Sequence, residues 1–241
     1  VAGAYPFEPR FFESDARFWP IAPAAAAFLG ETDWPAPSSY TRAFPREVPH
    51  PVRFESARVP ARRRRRELDP DALYDARISA GCVPTRERSW HDFLNALVWA
   101  TFPRAKRALH ARQLRALGAC IEPGARRLPP RRSREHDALA LVDEGGVVVL
   151  DDGRERVPVL FGHALYEGLV LRRGPMTACA VTAHVDRMPE TRAERTALAD
   201  TRLAATLDGP PLVPEALERM RLPGASAGEA REGPVTPRPS G

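Results

Sequence analysis

The chain has 241 residues, of which 43% are hydrophobic and 28% charged, a balance that excludes wholesale disorder and leaves room for one well-buried core. Its 26 prolines and net charge of +5 are the unusual figures, and Lys106 is the only lysine among 36 cationic residues. Arginine scattered through an alanine-rich chain is what a GC-rich genome writes, whereas a nucleic-acid binder gathers its cations on one face.

Residues 1–60 hold ten prolines among large aromatics such as Phe7, Phe11, Phe18, Trp19, Phe28 and Trp34, a mixture that forbids long helices yet buries well. The expectation is an extended arm wrapped over the core, with a short helix from Pro20 to Leu29 and a strand from Val52 to Ser56. Arg62 to Arg66 form a run of five arginines, read either as a phosphate-binding patch or as a solvated loop. Asp69 and Pro70 then supply a cap and first position for a helix reaching Ala80 and stopped by Gly81. A polar connector over Val83 to Arg88 leads to Ser89 through Trp99, which reads as a buried helix with His91, Asp92 and Asn95 on its narrow polar face.

Pro103 ends that helix, and Arg104 to Leu117 carry an apolar stripe with helical spacing. Arg104 and Lys106 at its start oppose the helix dipole unless an anion sits there. Asp137 to Asp143 and Val147 to Leu150, joined by Glu144 and two glycines, read as a β-hairpin. Leu160 to Val170 place His163 and Glu167 four apart, hence on one face if helical. Met176 to Val185 read as a strand, Pro214 to Met220 as a last helix, and residues from Leu222 onward as a disordered tail.

The expected architecture is therefore α+β: helices on a small, mostly antiparallel sheet containing a hairpin, one domain over 1–221 with an arm over 1–60, and a tail over 222–241. Cys82, Cys120 and Cys179 are widely spaced and odd in number, so no disulfide framework or zinc knuckle is indicated. A reducing, cytoplasmic setting follows as the expectation. No apolar run approaches the roughly 20 residues of a membrane helix.

The stretch Thr85 to Leu109, with Asp137 to Gly146, Phe161 to Ala164 with Glu167, and Thr182 to His184 in that order, resembles a bacterial family known only as domain of unknown function 3025. His110 stands where that family's pattern has an asparagine. The resemblance implies kinship and carries no assigned activity.

Imidazoles and carboxylates inside apolar segments need partners, because an unsatisfied buried polar group is costly. His91, Asp92, His163, Glu167 and His184 are the candidate catalytic residues, with His163, Glu167 and His91 as candidate ligands of a divalent metal. Asp143 and Glu144 sit beside them as acids of the expected turn. Adjacent His91 and Asp92 resemble the dyad of metal-dependent phosphohydrolases, while Ser89 and Asp92 equally resemble a helix capping box. His163 and Glu167 have the one-turn spacing of helical metal ligands, or that of a histidine bonded to a carboxylate.

No nucleophile elbow, phosphate loop or dinucleotide fingerprint is present. Two functional readings stay open: a hydrolase or acid–base enzyme with a His/carboxylate pocket, and a non-catalytic module for a protein or an anionic ligand. Nucleic-acid binding would require Arg62 to Arg66 to join Arg126, Arg127, Arg131, Arg132 and Arg134 on one surface.

Overall fold

A computed structural model describes residues 5–46, 50–57, 73–121 and 132–224. The architecture is α+β. The arginine run, the Asp69 cap, Arg126, Arg127, Arg131 and the tail beyond Gly224 lie outside the described residues.

The arm is a string of short turns of 3-10 helix (Phe11–Glu13, Ala16–Phe18, Ala26–Phe28, Pro37–Ala43) around one turn of α-helix, α1 (Ala22–Ala25). Prolines at the first positions start two of them, α1 and Pro37–Ala43. Its aromatic side chains converge on helix α3 (Trp90–Thr101): Phe7, Phe28 and Tyr40 each place a ring 5.0 to 5.3 Å from that of Phe93, and Phe11 stands 5.1 Å from Trp90. Such pairs contribute about 0.5–1.5 kcal/mol each beyond the area they bury. Arg17 ties the arm to the far end of the described chain, donating to the carbonyls of Pro223 at 2.6 Å and Gly224 at 2.8 Å.

Strand β1 (Arg53–Ser56) pairs in parallel with β2 (Cys82–Thr85), so the stretch expected as a polar connector is partly a strand. Between them lies α2 (Tyr74–Ser79), stopped by Gly81 at a φ of +78°, a left-handed position that glycine adopts without strain. Helix α3 starts at Ser89, whose hydroxyl accepts from the Asp92 amide. Helix α4 (Pro103–Gly118) follows directly.

Residues expected as the first strand of a hairpin instead form α5 (Arg134–Gly145). Ser133 caps it by accepting from the His136 amide at 3.1 Å, Glu135 and Asp137 occupy the first turn, and Ala138, Leu139 and Val142 turn inward at helical spacing. A short apolar run does not separate helix from strand by period alone, and here the cap and the Ala/Leu content win. The paired glycines convert helix to strand without a loop: a Cβ at Gly146 would lie 2.3 Å from the Val142 carbonyl oxygen. The hairpin comes one element later, between β3 (Gly146–Asp151) and β4 (Arg156–Leu160).

Helix α6 (His163–Val170) then leads to β5 (Met176–His184), which lies parallel to β3 and antiparallel to β6 (Glu218–Leu222). The larger sheet thus runs β4-β3-β5-β6 with β3 buried at its centre. The last expected helix is only a 3-10 turn, Pro214–Ala216, before β6. Helix α7 (Arg192–Asp208), an element beyond those expected from the sequence, begins with a capping box between Thr191 and Glu194. Its Asp200 is the anion at the start of α4, accepting from the amides of Arg104 at 3.3 Å and Ala105 at 2.7 Å, which resolves the dipole conflict there. Among the described residues, no helix is long and apolar enough to cross a membrane.

Candidate functional site

Three helices deliver polar groups to one place. Helix α3 brings His91, the end of α5 brings Asp143 and Glu144, and α6 brings His163 at its first turn and Glu167 one turn later. The approach of α6 to α5 depends on Gly162, whose absent side chain would lie 2.4 Å from the Glu144 carbonyl oxygen and 2.5 Å from the Gly146 nitrogen. Instead, the amides of Phe161 and Gly162 both donate to the Gly146 carbonyl, at 3.0 and 2.8 Å. Backbone contact thereby seats Glu144 against His163.

The two imidazoles meet through their Nε2 atoms at 2.9 Å, with ring centroids 4.4 Å apart and nearly perpendicular planes. Glu167 Oε2 lies 3.2 Å from His91 Nδ1. Glu144 reaches both rings, with Oε2 3.4 Å from His163 Nε2 and Oε1 3.9 Å from His91 Nε2. One donor atom each from His91, Glu144 and His163 fall within 4.8 Å of one another. His163 is buried, His91 half-buried and Glu144 exposed, so the cluster has a closed rear and an open front.

The rear is the only lysine. Lys106 is fully buried and donates to Asn95 Oδ1 at 2.8 Å and Asp143 Oδ1 at 2.6 Å, with its ammonium 5.5 Å from the Trp99 ring centroid. Burial pushes the Asp143 carboxyl upward, but the Lys106 ammonium and His163 outweigh it and hold the group well below the ordinary carboxylate range. Burial pulls His163 down to about 3 against the attraction of Asp143, leaving a neutral ring. Glu144 is raised, chiefly by burial and then, against the pull of His91, by the neighbouring Asp143.

His163 Nδ1 is the unsettled atom. It is buried without a well-aligned hydrogen bond, 3.9 Å from Asp143 Oδ1, and the Asp143 backbone beside it favours a proton there. With the Nδ1 proton of His91 given to Glu167, His91 Nε2 is a lone pair. A His163 proton on Nε2 would satisfy that lone pair but leave a bare Nδ1 beside acidic oxygens. A proton on Nδ1 would face Asp143 and aim both Nε2 lone pairs, with the Glu144 carboxylate, at one point.

Of the residues singled out from the sequence, His91, His163 and Glu167 come together. Glu167 meets His91 rather than the far nitrogen of His163, so it backs a ring instead of joining the donor set. Glu144, expected as an acid of a turn, is the third member of the group that could hold a metal ion. Asp92 turns away and accepts from the Arg86 amide at 2.5 Å and its guanidinium at 2.9 and 3.0 Å. Its amide donates to the Ser89 cap of α3, but its carboxylate does not return the bond that a capping box requires.

His184 is exposed at the far end of β5, in register with Asp151, whereas the cluster adjoins the Gly146 end of β3. Five residues of strand put roughly 16 Å between those ends. A second buried pair, His110 Nδ1 with Asp75 Oδ1 at 3.0 Å, lies under Trp99 with the two rings stacked 5.4 Å apart. Its signal in the sequence was the placement of His110 one turn after Lys106 on a buried face.

Residues 63–157 match a family model described as a protein of unknown function, DUF3025. The match takes in His91, Asp143 and Glu144 and ends before His163, Glu167 and His184. No curated protein and no solved structure matches the chain.

Proposed function

We propose that this chain, whose residues 63–157 belong to the DUF3025 family, is a metal-dependent hydrolase whose ion is held by His91 Nε2, His163 Nε2 and Glu144. The observation that carries this reading is the pair of Nε2 atoms facing each other at 2.9 Å while the Asp143 carboxylate and backbone stand on the Nδ1 side of His163. Two nitrogens bound about 2.0–2.1 Å from one tetrahedral ion stand about 3.4 Å apart, so an opening of roughly half an ångström seats the ion. Two imidazoles and one carboxylate are a donor set suited to zinc and its neighbours, with a position left for water.

A divalent ion there would supply Lewis acidity and an activated water at neutral pH. The chain's own residues do the rest. Glu167 fixes the tautomer and orientation of His91, as carboxylates behind ligating histidines do. Lys106 keeps Asp143 ionised behind His163, where it favours a proton on Nδ1 and a free Nε2. Glu144, half exposed, stands at the mouth where substrate and solvent arrive.

The test is metal content. Chelated protein dialysed against zinc, or against cobalt for its visible spectrum, should retain one equivalent with tetrahedral absorption. His91→Ala and His163→Ala should lose it while His184→Ala keeps it. Equal retention by all four proteins would overturn the reading.

A further inference from the structure

We infer that the groove beside Glu144 seats the substrate, and that it takes a molecule with an apolar body and a carboxylate end; this deepens and rests on the metal-dependent reading of the adjoining cluster. The groove has a volume of about 650 Å³ and runs between α5, α6, β5 and the segment entering β6, within the range of about 300–1,000 Å³ that small-molecule sites occupy. Its apolar walls come from Leu141, Leu165, Met176 and Leu217. Leu141 is 48% exposed on the outer face of its helix, where nothing in the packing of α5 calls for a leucine.

Charge is set at two edges. Glu144 belongs to both the groove and the donor cluster, so a molecule lying in the groove reaches the open front of the site. Arg173 and Arg219 line the same space. Arg173 stands 4.0 Å from Glu167, and Arg219 makes no ion pair among the described residues. With Glu144 engaged on an ion, the groove presents two guanidiniums and no free carboxylate. That is the complement of a carboxylate.

The floor binds rather than reacts. Cys179 donates its thiol to the Leu141 carbonyl at 3.1 Å, joining α5 to β5, and burial pushes that thiol up to about 11. A protonated thiol under the groove is not a nucleophile at neutral pH. The chemistry is left to the cluster.

Equilibrium dialysis with octanoate, and with octyltrimethylammonium as its cationic counterpart, tests the inference on the full chain loaded with zinc, with metal content measured alongside. The zinc-loaded protein should bind octanoate and not the cation. Arg219→Glu, at an exposed strand position, should weaken octanoate binding about tenfold or more, the scale of one lost charge contact. Thr177→Trp, which fills the groove from an exposed strand position, should abolish it, and both variants should keep their metal. Equal binding of anion and cation, or octanoate binding indifferent to both substitutions, would overturn the groove as the seat. Octanoate binding that persists with these sensitivities in a protein that retains no zinc supports the groove and sinks the metal reading alone.

Discussion

His91 and His163, 72 positions apart in the chain, point their Nε2 atoms at each other across 2.9 Å. The two rings share one point because His163 is buried and His91 is held from behind. For His91 the holder is Glu167, at 3.2 Å from Nδ1. Glu167→Gln should keep the fold and weaken zinc affinity by about 10- to 100-fold, the usual cost of losing a carboxylate behind a ligating histidine. Competition against a chromogenic chelator reads this directly; unchanged affinity would remove Glu167 from the site.

Buried neutral histidine makes the metal-free protein sensitive to mild acid. The folded value of His163, about 3, lies below the ordinary 6.5, so the unfolded chain binds the proton more readily. The stability this ring contributes is complete above pH 6.5 and declines as pH falls toward 3, by up to about 1.4 kcal/mol per pH unit. Asp143, also depressed, adds its loss only below the ordinary carboxylate range. Urea unfolding of chelated protein at pH 7.5 and 5.5 should show a fall of about 1 kcal/mol, largely absent in His163→Gln.

The Lys106 and Asp143 pair is a different case, since both charges are out of water. Lys106→Met should destabilise the protein by about 3–5 kcal/mol, because it strands an ionised carboxylate. The double change Lys106→Met with Asp143→Asn should recover a large part of that loss. Denaturant midpoints of the single and double variants decide the matter; equal losses would mean that the lysine acts through packing alone.

Gly162→Ala should be far worse than its size implies. The added carbon meets backbone of Glu144 and Gly146 at 2.4 and 2.5 Å, atoms that have no rotamer to change. A loss of about 2 kcal/mol or more is expected, at the upper part of the overpacking range, with weakened zinc retention in whatever folds. A thermal midpoint within a degree of the parent would contradict the close approach of α6 to α5.

Asp92→Ala is the contrasting case. It removes the acceptor of the Arg86 amide and guanidinium and a negative charge from the first turn of α3, worth about 1 kcal/mol, and should leave metal content untouched. Loss of metal without loss of stability would add Asp92 to the donor set.

The legible part of this protein was the part written in local chemistry. Ser89 before an apolar run marked α3, Gly81 marked a stop, and polar groups inside Ser89 to Trp99 and Leu160 to Val170 marked His91, His163 and Glu167 as needing partners. Glu144 escaped because two glycines after an acid describe a tight turn as well as they describe a helix running straight into a buried strand. What decided between them was Ser133, eleven residues upstream.

The Thr191 and Glu194 capping box is equally legible local chemistry, and it starts the helix that carries Asp200. His184 could not be placed from sequence at all. Its distance from the cluster is set by the parallel register of β3 and β5, a relationship between strands about 30 positions apart.

The bonds from Arg17 to Pro223 and Gly224 span 206 and 207 positions. During synthesis the arm emerges first, yet the carbonyls that receive its guanidinium emerge near the end of the described chain. The arm's rings can pack once α3 has been made, but the Arg17 tether cannot close until the strand before Pro223 has followed, so in that interval the arm is held by its rings alone.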